Sequence, residues 1–78
     1  MALVNTKEML KKAYAGNYAI GAFNINNMEI IQGVVNAAKA QNSAVILQVS
    51  KSALNFAGPE YLTAMVNAAV ETTGIDIA

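Results

Sequence analysis

The 78-residue chain contains no cysteine, no histidine, no arginine and no tryptophan, and it has a single proline. The missing cysteine rules out a disulfide framework, a thiolate nucleophile and a thiolate metal site, and it suits a reducing cytosol. With histidine missing as well, these residues cannot assemble a catalytic zinc site from its usual nitrogen and sulfur ligands. Charge is scarce too. Charged residues make up 13% of the chain, against roughly 25% in an ordinary soluble domain. Five lysines balance five carboxylates to a formal net charge of zero, which leaves no basic stripe to follow a nucleic-acid backbone. Long apolar runs are also lacking: Asn, Gln, Lys or Ser interrupts every stretch before the roughly 18 residues a membrane span requires. The opening MALVNTKEML has neither the basic n-region nor the apolar h-region of a secretory signal. A cytoplasmic protein with no nucleic-acid or membrane partner is therefore expected.

What the chain does have is apolar side chains, at 55% of its residues. A short chain buries a smaller fraction of its surface than a long one, so an apolar excess here implies faces meant to be covered. The cover is either the remainder of a larger fold or a partner chain.

Asn5 followed by Glu8 predicts a capping box and a helix from about Thr6 to Ala15, with Met9, Leu10, Ala13 and Tyr14 on its apolar face. Gly16 and Asn17 supply its stop. Tyr18 to Phe23 lacks polar alternation and reads as a buried parallel strand. Asn26 and Glu29 predict a second capping box, opening a helix over Asn27 to Ala40 with Ile30, Ile31, Val34, Val35 and Ala38 inward. Ala44 to Val49 is the second buried strand, followed by a loop of about eight residues. Pro59 at a first helical position opens a third helix, Leu62, Met65, Val66, Ala69 and Val70 form its stripe, and Gly74 ends it. Ile75 to Ala78 begins a third strand.

Alternation of strands with helices long enough for crossover connections is the α/β class with a parallel sheet. An eightfold barrel and an open doubly wound sheet both repeat this unit, and periodicity does not separate them. In either one, ligands bind beyond the carboxyl ends of the strands. The first polar residues there are Asn24 and Ser50, one strand-helix unit apart, and their uncharged amide and hydroxyl can bond sugar hydroxyls or phosphate oxygens. Their structural readings are a turn former and a loop cap. Gln48 lies inside the second strand, where a buried amide needs partners; it either points into a polar barrel interior or is tied to backbone. Gly21 belongs to no dinucleotide-binding glycine pattern. The carboxylates of Glu8, Glu29, Glu60 and Glu71 are accounted for by helix ends and surfaces, and Asp76 falls at the start of its strand, away from a barrel's catalytic mouth.

The segments TKEML at Thr6 to Leu10, GAFNINNMEIIQG at Gly21 to Gly33, SAVILQVS at Ser43 to Ser50 and FAGPEYLTAMVNAA at Phe56 to Ala69 agree in order and spacing. Together they resemble the class II fructose-bisphosphate aldolase family. Ala44 and the Asn55-Phe56 pair depart from it at positions outside the site. The resemblance implies a TIM (β/α)8 barrel. Such a barrel needs about 250 residues, so residues 1–78 are expected to be the amino-terminal fragment of one aldolase domain, its first two to three βα units.

The implied activity is a lyase reaction of glycolysis and gluconeogenesis, the reversible cleavage of fructose 1,6-bisphosphate to dihydroxyacetone phosphate and glyceraldehyde 3-phosphate. The resemblance further implies a zinc ion on three histidines that polarises the ketone, and a proton-transferring carboxylate just after the third strand. All of these groups would lie beyond Ala78, so the fragment itself is expected to hold no catalytic residue and no metal ligand, and to be inactive. Ser50 matches a serine that contacts the glyceraldehyde 3-phosphate portion of the substrate, and Asn24 matches an active-site asparagine. With Gln48 they form the expected substrate-binding set for a phosphorylated sugar, in a complete enzyme expected to be a homo-oligomer. Tagatose 1,6-bisphosphate is the nearest alternative substrate. A non-catalytic α/β module that pairs with another chain is the competing class.

Overall fold

The structure is a computed structural model that describes residues 3–78; the first two positions of the MALVNTKEML start lie outside the described residues. The order of elements is α1 (Thr6–Gly16), β1 (Ala22–Asn24), α2 (Met28–Ala40), β2 (Ile46–Gln48), α3 (Lys51–Ala57) and α4 (Pro59–Thr73). Strands β1 and β2 pair in parallel, with Ala22 opposite Ile46, Phe23 opposite Leu47 and Asn24 opposite Gln48. The expected third strand contributes an isolated parallel bridge at Ile77, which pairs with Val45 on one side and Leu3 on the other. This is an α/β arrangement consistent with part of a barrel, with four helices and a two-stranded parallel sheet among the described residues.

Helix boundaries follow from local hydrogen bonding. Asn5 accepts from the Lys7 amide at 3.0 Å to start α1, and Asn17, left-handed at φ 59°, ends it. The Tyr18 amide then reaches back to the Ala13 carbonyl at 3.0 Å, so the terminal turn is closed by backbone. For α2 the cap is Asn27, accepting from the Ile30 amide at 2.8 Å, one residue later than the Asn26–Glu29 box predicts. Both asparagines suit a cap; Asn27 is the one whose side chain accepts a first-turn amide.

Two other expectations are corrected. The segment after Ser50 is not a loop, because Lys51–Ala57 form α3 with the Ser50 hydroxyl accepting from the Ala53 amide at 3.1 Å. The first strand is neither as long nor as buried as its apolar run suggests. It spans three residues, all exposed, and Tyr18 is also exposed.

The core lies between the sheet and helices α2 and α4. Ile25, Ile31, Val35, Val45, Ala69 and Ile77 are its buried members, and Leu47, Met65, Val66 and Val70 pack against them. The opposite sheet face, carrying Ala22 and Asn24 of β1 and Gln48 of β2, is open. The uncovered face explains the exposure of Ala22 and Asn24, while Phe23 shares the side of Leu47 but lies on a strand at the sheet edge, where it is also exposed.

Two substitutions probe this packing. Ile77 has no solvent exposure, so Ile77→Ala is expected to cost about 2–5 kcal/mol of stability in urea unfolding. Asn27→Ala removes the α2 cap and should cost about 1 kcal/mol, whereas Asn26→Ala should leave the midpoint near its original value.

Candidate functional site

The three polar residues singled out in the sequence converge at the carboxyl ends of the two strands. Asn24 is the last residue of β1 and Gln48 the last of β2, and they are direct partners in the register. Partners in a parallel pair direct their side chains to the same face. The odd-numbered neighbours Val45, Leu47 and Ile25 belong to the helix-covered core, so Asn24 and Gln48 occupy the open face. The chain crosses from one to the other through the Ile25 amide, which donates to the Gln48 carbonyl at 2.9 Å. This bond fixes the two strand ends relative to each other without using either side-chain amide.

Ser50 follows two residues after Gln48 and is exposed. Its backbone is extended, at φ −73° and ψ 162°, as suits a residue that begins a helix. Its Oγ is engaged by the Ala53 amide, so the loop-cap reading of Ser50 has a definite structural basis. An accepting hydroxyl still has its own proton and a second lone pair, which leaves it able to donate to an oxygen placed outside the helix.

Gln48 does not carry the burden of a buried amide, because it is exposed and has no need of a protein partner. Its side chain lies on the open side of the sheet, beside that of Asn24. Asn24 is likewise exposed, and the turn after it is capped by Asn27. The site is thus a short uncharged row on the uncovered sheet face, able to donate and accept hydrogen bonds. None of its side chains is titratable, and the row alone offers neither an acid nor a base.

Sequence reasoning missed α3, and with it the fact that Ser50 leads directly into a helix whose first residue is Lys51. The available signal was a good cap residue, Ser50, followed by Lys-Ser-Ala-Leu. No glutamate stands three residues on to complete a capping box, and seven residues are too few for a periodic stripe.

A groove of about 440 Å³ lies elsewhere, lined by Gly21, Phe23, Gly33, Val34 and Ala37 among others. It includes none of the three polar residues and no ionisable side chain, so its chemistry is that of packing. Among the described residues no three His, Cys, Asp or Glu side chains gather closely enough to hold a metal ion. No helix among them is long and apolar enough to cross a membrane.

Comparison with known proteins adds a family to this geometry. Residues 4–78 match the model of the class-II fructose-bisphosphate aldolase family. A fructose-bisphosphate aldolase of Nostoc sp. is 47% identical over 72 residues, covering 92% of this chain and 20% of the relative. The fructose-bisphosphate aldolase of Treponema pallidum is 44% identical over 80 residues, covering 99% of this chain and 24% of the relative. A 6-phospho-5-dehydro-2-deoxy-D-gluconate aldolase of Halalkalibacterium halodurans is 47% identical over 68 residues, covering 86% of this chain and 24% of the relative. The chain therefore spans about a quarter or less of the length of these curated relatives. With nearly all of its residues inside the family match and its strand ends arranged as described, the chain belongs to the class II fructose-bisphosphate aldolase family.

Proposed function

We propose that the protein carrying these residues is a cytoplasmic, homo-oligomeric fructose-bisphosphate aldolase that reversibly splits fructose 1,6-bisphosphate into two triose phosphates. The observation that carries this reading is the family match over residues 4–78. It is supported by the uncharged donors and acceptors of Asn24, Gln48 and Ser50 at the carboxyl ends of adjacent parallel strands, where α/β barrels bind substrate.

In this reading the carboxamides of Asn24 and Gln48 orient the sugar by bonding its hydroxyls. Ser50 accepts from the Ala53 amide and directs its own proton to a phosphate oxygen. The α3 cap thereby holds the hydroxyl in one rotamer, so little side-chain freedom is lost when substrate arrives.

The zinc ion that family membership implies does not fit the residues present. The chain has no histidine or cysteine, and no cluster of carboxylates takes their place among the described residues. We assign metal binding and proton transfer to other parts of the enzyme. The role of these 78 residues is scaffold and substrate orientation, with no activity of their own.

A second substrate has a specific observation in its favour. The Halalkalibacterium halodurans relative, named for 6-phospho-5-dehydro-2-deoxy-D-gluconate, is as similar as the Nostoc fructose-bisphosphate aldolase, both at 47% identity. This part of the chain therefore serves more than one phosphorylated sugar, and choice among them, tagatose 1,6-bisphosphate included, falls to contacts made elsewhere.

A hybrid in which this chain replaces the aligned first quarter of the Treponema pallidum aldolase tests the reading. It should release triose phosphates from fructose 1,6-bisphosphate in a coupled assay; a folded hybrid inactive on that sugar but active on another phosphorylated ketose would replace the proposed substrate.

Within the hybrid, Ser50→Ala should lower kcat/KM roughly ten- to a hundredfold, the worth of a hydrogen bond to a charged group. Ser50→Asp keeps a capping acceptor but sets a negative charge against the phosphate. Its thermal midpoint should stay close to that of the parent while KM rises at least about tenfold. Unchanged KM in Ser50→Asp would remove Ser50 from the phosphate contact.

A further inference from the structure

The isolated bridge at Ile77 has two sides, and they are served by different parts of the chain. Toward β2, the Val45 amide donates to the Asp76 carbonyl at 3.2 Å, the Ala78 amide to the Val45 carbonyl at 3.0 Å, and the Leu47 amide to the Ala78 carbonyl at 2.8 Å. In a parallel strand alternate residues direct their amide and carbonyl to opposite neighbours. Residues 76 and 78 therefore face β2, and Ile77 faces the outer edge. There the Val4 amide donates to the Ile77 carbonyl at 2.8 Å, and Leu3 pairs with Ile77 in parallel. The next residue, Asn5, caps α1, so the chain passes from this sheet edge straight into a helix that buries Met9 and Ala13.

We infer that Leu3 to Asn5 form a strap that is a lasting member of the sheet, locking the start of the third strand in register and tying α1 to it. The Ile77 side chain has no exposure, so a slip of one residue would move it out of the core and turn its neighbour inward. A strand bonded on one edge only resists that slip less than one bonded on both.

The strap has a consequence for a complete barrel, and this part rests on the family reading. In a closed barrel of consecutive parallel strands, the outer edge of the third strand belongs to the fourth. With Ile77 already engaged by Val4, the fourth strand bonds the third only beyond Ala78.

Amide hydrogen exchange in the hybrid barrel described above, followed by NMR without substrate, tests the strap. The Val4 amide should exchange at least about a hundredfold more slowly than in an unstructured peptide, in the same class as those of Leu47 and Ala78. Val4→Pro removes the donor, and should speed exchange at Leu47 and Ala78 at least about tenfold. Val4→Ala keeps the amide and should restore slow exchange at both. Exchange of Val4 at the unstructured rate, with Leu47 and Ala78 still protected, would show that the fourth strand displaces the strap and would overturn the inference. Equal exchange in the Val4→Pro and Val4→Ala proteins would overturn it as well. An absence of aldolase activity bears on the functional reading alone, because exchange is read on the folded protein whatever it catalyses.

Discussion

The parallel register of β1 against β2 is the constraint on which the other features rest. It is set by the Ile46 amide bonding the Gly21 carbonyl and the Ile25 amide bonding the Gln48 carbonyl, both at 2.9 Å. Side chains alternate along a strand, so this register sends Val45, Leu47 and Ile25 to the helices and Asn24 with Gln48 to the other side. A shift by one residue would exchange the two sets. The apolar contacts of Ile31 and Val35 on α2 and of Ala69 on α4 thus do two things at once: they form the core, and they hold the polar row in place. The row is a by-product of packing on the opposite face.

Uncovered surface also accounts for the composition. A chain with 55% hydrophobic residues leaves Tyr14, Phe56 and Tyr61 at 89%, 83% and 72% exposure. Such residues are spread over α1, the end of α3 and the start of α4, and the open sheet side adds Ala22. The chain spans about a quarter or less of the length of its relatives, and an apolar excess in so short a chain marks surface that a larger fold would cover.

Much of the fold could be read in the sequence because its cues are local. Asn5, Asn17, Pro59 and Gly74 mark helix ends through their own backbone and side-chain chemistry, and they do so in the structure. The α2 start differs from the expected one by a residue because Asn26 and Asn27 have the same side chain, and composition does not distinguish which of them caps. Tyr18 to Gly21 reads as strand by composition, yet a strand needs a partner along its length, and pairing with β2 runs only from Ala22 to Asn24. That Asn24 and Ser50 fall at the carboxyl ends of the strands was legible from the order of elements, with Asn24 closing β1 and Ser50 following β2. The pairing of Asn24 with Gln48 was not, since register depends on contacts between segments far apart in the chain. The strap at Ile77 was hidden for the same reason.

Helices α3 and α4 meet at Gly58, whose amide bonds the Leu54 carbonyl to close one helix and whose carbonyl accepts from the Leu62 amide to open the next. Its φ of 89° is one that side chains rarely allow. One residue is therefore the whole hinge between the helix that Ser50 starts and the helix that packs on α2. A side chain at residue 58 would have to adopt that same left-handed backbone, so the pivot between the two helices is reserved for glycine.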